Sequence, residues 1–294
     1  MSTLRFGTCS WKYPSWAGIV YSGPEADFLA EYSGRYPTVE IDQWFWSLFD
    51  ADSIALPQIP TISEYLAAVP EEFQFTIKAP NSVTLTHFYK KGTQRGVGEN
   101  PYFLSPKLFA DFLDRITPMK AQTAMIMLQF EYLNREKMSG VDDFLRQLET
   151  FLMEVGSDWP LGVEIRNPNY LHSAYFQMLA NYRVTPVFCE GYFLPPITSV
   201  YQKHRELLSE TGMIRLLGPD RRAIEKATGK KWNRIAAPKD EALPAIADML
   251  VDMLAHGIDV IVNVNNHYEG SAPLSIERLE RLVDERRERF SQIL

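Results

Sequence analysis

The stretch Gly162-Val163-Glu164-Ile165-Arg166-Asn167 decides the fold. Successive side chains of a strand point to opposite faces, so Glu164 and Arg166 share one face while Val163 and Ile165 share the other. The same alternation of apolar and polar residues recurs in Val39-Glu40-Ile41-Asp42, Phe75-Thr76-Ile77-Lys78, Met127-Leu128-Gln129, Ile214-Arg215-Leu216 and Val262-Asn263-Val264-Asn265. Extending this pattern along the chain places strands at 4–10, 37–42, 73–78, 123–130, 161–166, 185–190, 213–217 and 259–265. Between them lie residues with helical period, such as Leu108, Phe109, Phe112, Leu113 and Ile116, or Phe144, Leu145, Leu148, Phe151 and Leu152. Ser105-Pro106 has the form of a helix start, and Gly156 and Gly257 follow helical runs where a left-handed cap is expected. Strands separated by helices pair in parallel. Eight such units predict an α/β fold, a (β/α)8 TIM barrel forming a single domain over residues 1–294. The longest irregular stretches are expected at 81–104 and 191–198.

Composition narrows the classes. With 46% hydrophobic and 13% aromatic residues, the 294-residue chain has enough apolar material for a large core. Thirty basic residues against 37 acidic give a net charge of −7, which disfavours a general coat for nucleic acid or membrane. Two cysteines, Cys9 and Cys189, do not make a disulfide framework, and Met-Ser-Thr-Leu-Arg lacks the apolar run of a secretory signal. A cytoplasmic location is expected. No apolar run reaches the roughly 20 residues that span a bilayer, so no membrane association is expected. Nothing in the sequence specifies an oligomeric state.

In a barrel of this kind the active site lies at the carboxyl ends of the strands. That rim is expected to carry Trp11, Glu40, Asp42, Lys78, Gln129, Glu164, Arg166, Glu190, Arg215, Asn265, Asn266 and His267, with His87 just beyond the third strand. Charges inside a barrel can also be satisfied ion pairs, and that reading stands beside the functional one.

At these residues the chain resembles a known family. Gly7-Thr8-Cys9-Ser10-Trp11-Lys12-Tyr13-Pro14-Ser15-Trp16, Val39-Glu40-Ile41-Asp42, Lys78-Ala79-Pro80 with Thr86-His87, Glu164-Ile165-Arg166-Asn167-Pro168, Arg215-Leu216-Leu217-Gly218, and Asn265-Asn266 with Gly270-Ser271-Ala272-Pro273 are similar to motifs of the YecE-like family, domain of unknown function 72. The resemblance runs in order over nearly the whole chain and implies a TIM barrel. It implies no activity. The chain departs from the family pattern at Cys9-Ser10, where Ser-Gly is usual, at Asp42 in place of Asn, at Glu190 in place of Asp, and at Asn266-His267-Tyr268 in place of Asn-Asp.

The rim chemistry points to an anion. Lys78, Arg166 and Arg215 suit a phosphate or carboxylate, because guanidinium presents a planar fork. Pairing of the arginines with Glu40 and Glu164 is the structural alternative. Glu40 or Glu164 is the expected general base, with Lys78 as a further catalytic candidate, while Trp11, His87, Gln129, Arg166, Arg215, Asn265 and Asn266 are expected to bind substrate. Five histidines without HxH, HExxH or CxxC spacing do not make a zinc site, so no metal or cofactor is expected. A Mg²⁺ or Mn²⁺ site on Glu40, Glu164 and Glu190 would compete with the cations on the same rim.

The leading expectation is therefore an enzyme that binds an anionic, phosphorylated or carboxylated small molecule and works by metal-independent acid–base chemistry. Trp11, Tyr13 and Trp16 after the first strand, and Trp44, Phe45 and Trp46 after the second, either stack a planar ligand or seal the barrel top. Two alternatives stay open. One is nucleic-acid binding or phosphodiester processing through the basic loops 87–95 and 220–239, where Lys90, Lys91 and Arg95, and then Arg221, Arg222, Lys226, Lys230, Lys231, Trp232, Arg234 and Lys239, are concentrated. The other is a barrel without catalysis.

Overall fold

A computed structural model describes residues 2–50, 53–89, 98–156 and 158–291. The barrel strands are β1 (Leu4–Thr8), β2 (Thr38–Ile41), β3 (Gln74–Lys78), β4 (Thr123–Gln129), β5 (Leu161–Glu164), β6 (Thr185–Gly191), β7 (Thr211–Gly218) and β8 (Asp259–Val264). They close in the order β1-β8-β7-β6-β5-β4-β3-β2 with helices around them, which is a (β/α)8 TIM barrel. All eight lie where the alternation predicts. The fifth is shorter than expected, ending at Glu164, so Arg166 stands just beyond the strand. Among the described residues no helix is long and apolar enough to cross a membrane.

The chain packs as two compact parts, Met1–Glu40 with Thr185–Leu294, and Ile41–Val184. In the first part, β8 lies between β1 and β7, with Gly7 opposite Asn263 and Asn263 opposite Arg215. The helices Ala242–Ala255 and Ala272–Ser291 pack on each other, burying Leu243, Ile246 and Leu250 on one and Ile276, Leu279 and Val283 on the other. Each such side chain contributes about 1.5–3 kcal/mol on burial. Gly7 is required by proximity, since a Cβ there would meet the Thr38 carbonyl oxygen at 2.2 Å. Asp220 starts the helix Arg221–Thr228 by accepting from the Arg222 and Ala223 amides. Gly257 follows the helix Ala242–Ala255 with φ +81°, the left-handed stop predicted for it.

In the second part, β4 lies between β3 and β5. Ser105 caps the helix Pro106–Ile116 through the Leu108 amide, with proline at the helix start as expected. Phe109 and Phe112 of that helix and Phe144, Leu148 and Phe151 of Val141–Val155 are buried, with the Phe109 and Phe151 rings 5.4 Å apart. Gly156 ends the second helix at φ +46°. Three features escape the periodicity. The helix Ile59–Ala67 buries only Ile62 and Tyr65, the strands Leu48–Asp50 and Ser53–Ile54 pair antiparallel outside the barrel, and Asn81–Thr84 forms a helical turn inside the stretch 81–104. In the first part, the helix Ile197–His204 likewise begins within 191–198.

Candidate functional site

Parallel pairing turns strand alternation into shared faces. In the part built on β1, β6, β7 and β8, Cys189, Arg215, Asn263 and Gly7 lie at one level, and Gly7 is opposite Thr38, two residues before Glu40. Glu40 therefore shares the face of Arg215. Arg215 Nε donates to Glu40 Oε2 and Nη2 to Oε1, both at 2.7 Å. β2 and β7 are separated in the strand order by β1 and β8, so the two side chains meet through the barrel interior. Both are enclosed, with 2% of Arg215 and none of Glu40 exposed. A bidentate fork is the geometry in which burial of both charges is best offset. Arg215 Nη2 also lies 3.9 Å from the Cys9 sulfur.

Beyond the strands of this part, most polar side chains build loops. Asn265 Oδ1 accepts from the His267 amide at 2.9 Å, and Asn266 Oδ1 accepts from the Ala272 amide at 2.8 Å at the start of the last helix. Glu190 Oε2 accepts from the Ile197 amide at 2.9 Å. Burial raises the Glu190 pKa, while the Ile197 amide and Lys239 pull it back. Gly218, at φ +80°, ends β7 where a Cβ would meet the His267 carbonyl oxygen at 2.4 Å. His267 Nε2 lies 3.4 Å from Glu225 Oε1, and burial followed by Arg221 lowers its pKa. Trp11 is buried, its carbonyl accepts from the Tyr21 hydroxyl, and Lys12 Nζ lies 5.2 Å from its ring. Trp16 is buried too.

Part of the basic run 220–239 is held by nearby groups. Glu225 accepts from Arg221 Nε at 2.7 Å and lies 3.6 Å from Lys230 Nζ, and Arg234 donates to the Ala227 carbonyl. Trp232 is buried, its amide donates to Ser15 Oγ at 3.1 Å, and its ring meets His267 edge-on at 5.0 Å. Lys90, Lys91 and Arg95 of the other basic loop lie outside the described residues.

In the part Ile41–Val184, register aligns a second set. Lys78 is opposite Met127, and Gln129, two residues on, is opposite Glu164, so Lys78, Gln129 and Glu164 share one face. Glu164 is fully enclosed, and Arg166 Nη2 reaches its Oε1 at 2.5 Å from a side chain that keeps partial exposure. Lys78 Nζ stands 5.3 Å from the Phe45 ring. Asn167 clamps the loop after β4, accepting from the Leu133 amide and donating to its carbonyl, both at 2.8 Å. His87 contacts Thr86 Oγ1 through Nδ1 at 3.0 Å, and its backbone bridges Glu99. Among the described residues, no three His, Cys, Asp or Glu side chains gather as a metal site.

Each part thus brings together sequence-predicted residues: Glu40 with Arg215, and Lys78 with Gln129, Glu164 and Arg166. Sequence reasoning passed over Asn263, whose inward position follows from the same alternation.

A family model described as "Protein of unknown function DUF72" matches residues 5–293. The chain belongs to the DUF72 family. Among solved structures, it is similar to a DUF72 family protein from Enterococcus faecalis V583, with 16% identity, 96% of each chain covered and a TM-score of 0.67. One from Thermotoga maritima MSB8 shares 20% identity over 96% of this chain and 99% of that one, with a TM-score of 0.65. A D-tagatose 3-epimerase-like protein matches over 96% and 99% at 13% identity and a TM-score of 0.54, a likeness of fold alone. A search of curated proteins returns no match.

Proposed function

We propose that this DUF72 barrel is an enzyme that binds a small phosphorylated or carboxylated molecule at the carboxyl ends of its strands and acts on it by metal-independent acid–base chemistry. The observation that carries this reading is the alignment of Lys78, Gln129 and the enclosed Glu164 on one strand face, with Arg166 on the Glu164 carboxylate. Enclosing a carboxylate is expensive unless it is paired or used, and a partly exposed guanidinium on it can exchange that carboxylate for a ligand anion. In this reading Lys78 and Arg166 hold the anion, Gln129 orients the ligand, and Glu164 moves a proton once Arg166 is drawn away. Glu40 and Arg215 pair with each other and are not part of this set.

The polynucleotide reading has less support. Its interleaved aromatic, Trp232, is buried, and Lys230 faces Glu225. The test is thermal stabilisation by anions. At 100 times its dissociation constant a ligand stabilises the folded state by about 2.7 kcal/mol. Phosphate, sulfate or a hexose phosphate is expected to raise the midpoint of the wild type, and Lys78→Met and Arg166→Ala are expected to abolish the rise. Charge reversal at Lys226 and Lys231 leaves it unchanged. An equal rise in Arg166→Ala, or none in the wild type, overturns the assignment.

A further inference from the structure

His267 stands just past the carboxyl end of β8 on backbone that is held at several points. Its amide donates to Asn265 Oδ1 at 2.9 Å, and the Tyr268 amide donates to the Asn265 carbonyl at 3.0 Å. Its own carbonyl oxygen lies so near Gly218, at the end of β7, that a Cβ there would meet it at 2.4 Å. The ring is fixed as well. Trp232, buried and anchored by its amide on Ser15 Oγ, meets it edge-on at 5.0 Å. A side chain supported in this way at the ends of two neighbouring barrel strands is placed where barrels of this kind carry their chemistry.

The two ring nitrogens have different surroundings. Nε2 is enclosed and faces Glu225 Oε1 at 3.4 Å, a gap too wide and poorly aligned to count as a hydrogen bond. The side chain nevertheless keeps 15% exposure, and Nδ1 is neither enclosed nor bonded to a described residue. Glu225 stays ionised, because Arg221 Nε donates to its Oε1 at 2.7 Å and Lys230 Nζ lies 3.6 Å from its Oε2, and its carboxyl is held below the usual range. Burial, followed by Arg221, keeps the imidazole neutral at pH 7. A neutral imidazole has one N–H and one lone pair. The nitrogen that faces an ionised carboxylate carries the hydrogen, which leaves the lone pair on the open Nδ1.

We propose that His267 is a proton acceptor at the carboxyl ends of β7 and β8, with Glu225 as its positioning residue, and that Nδ1 takes the proton of a ligand hydroxyl. This rests on the reading of the strand ends as the ligand face, and it narrows the ligand to a hydroxylated compound. The lone pair of Nδ1 needs a donor, and a hydroxyl is the donor that can give up its proton. As Nδ1 gains that proton the ring becomes a cation, and Nε2–H draws onto the Glu225 carboxylate across the 3.4 Å gap. Contacts of this kind tighten when charge develops, so the carboxylate favours the protonated ring over the neutral one. A histidine with only a packing role would have its nitrogens hydrogen-bonded within the fold, whereas here one faces an ionised acceptor and the other is open.

The experiment uses diethyl pyrocarbonate, which reacts with an imidazole only through a reachable nitrogen that carries no proton. Its carbonyl carbon bonds to Nδ1, the bond to ethyl carbonate breaks, and the Nε2 proton leaves by way of Glu225. Peptide mass spectrometry follows the rate at each histidine of the full chain from about pH 5 to 8, the range in which histidine titrates. His267 is expected to react at least as fast as the exposed His256, with an apparent pKa below the ordinary value of about 6.5. Glu225→Gln should slow His267 by roughly tenfold or more and leave His256 unchanged, which also shows that the variant is folded. Side-chain 15N spectra of the wild type should show hydrogen on Nε2 and none on Nδ1. An unreactive His267, a rate that Glu225→Gln does not alter, or a proton on Nδ1 overturns the proposal. If Glu225→Gln does not fold, the pH profile and the 15N spectra of the wild type decide. Neither measurement needs a ligand, so the proposal can fail while anions still stabilise the protein through Lys78 and Arg166, and the anion reading can fail while His267 reacts as expected.

Discussion

Glu40→Ala removes one half of an enclosed ion pair and leaves the other half in place. Arg215 is 2% exposed and loses both 2.7 Å acceptors at once, so its guanidinium stays charged inside the barrel. Breaking a buried pair from one side costs about 3–5 kcal/mol. For a chain of this length, at about 2 °C per kcal/mol, the midpoint should fall by roughly 6–10 °C. Replacing both members, Glu40→Leu with Arg215→Met, exchanges the pair for apolar side chains of similar reach and should be less harmful than Glu40→Ala alone. Chemical denaturation of the wild type, each single variant and the double variant gives the coupling energy directly, expected at about 2 kcal/mol or more. A Glu40→Ala cost below about 1 kcal/mol, or strict additivity, would show that the two groups are hydrated separately and would refute the account of the interior.

Other outcomes follow from individual contacts. Gly7→Ala should be the most harmful single methyl addition in the first strand, because its Cβ meets backbone at 2.2 Å and nothing there can yield; low soluble yield or a midpoint drop is expected, and an unchanged midpoint contradicts the close approach. Asn167→Ala strands the Leu133 amide and carbonyl and should cost about 2–4 kcal/mol in urea titration, while a loss under about 0.5 kcal/mol would mean that the loop is held otherwise. Burial and Arg221 lower the His267 pKa against the attraction of Glu225, so the unfolded chain binds the proton more readily than the folded one. Stability contributed by neutral His267 is present above about pH 6.5 and is lost as pH falls from there through the lowered folded value. His267→Gln should flatten that segment of the midpoint-against-pH curve, and an unaltered slope argues against it.

The barrel was legible because its signal is local and repeated. Strand alternation in 161–164 or 213–217 and helical spacing in 106–116 or 141–155 each fit within a single element, and eight repetitions left little choice of architecture. That Glu40 and Arg215 share one face in one part, and Lys78, Gln129 and Glu164 share one in the other, was legible for the same reason, since period 2 assigns a side chain to a face of its own strand. The misses lie where periodicity is silent. Trp232 in a basic run looks like a stacking residue until packing buries it beside His267, and no period along the chain announces that the Asn265 and Asn266 oxygens accept from the His267 and Ala272 amides. Trp46 and Tyr89 belong to two loops, and no pattern along the chain tells that their rings meet.

Chemical type and facing are properties of residues within an element, and these were readable from the order of amino acids. Partnership is different. Glu40 and Arg215 are 175 positions apart and on strands that do not touch, and they meet only because register and closure set the level and curvature of each strand. The same register places Gln129 opposite Glu164, and so decides which polar group accompanies the enclosed carboxylate. Alternation chooses the side of the sheet, whereas stagger and closure choose the neighbour, because distance across a barrel depends on every strand between the two residues.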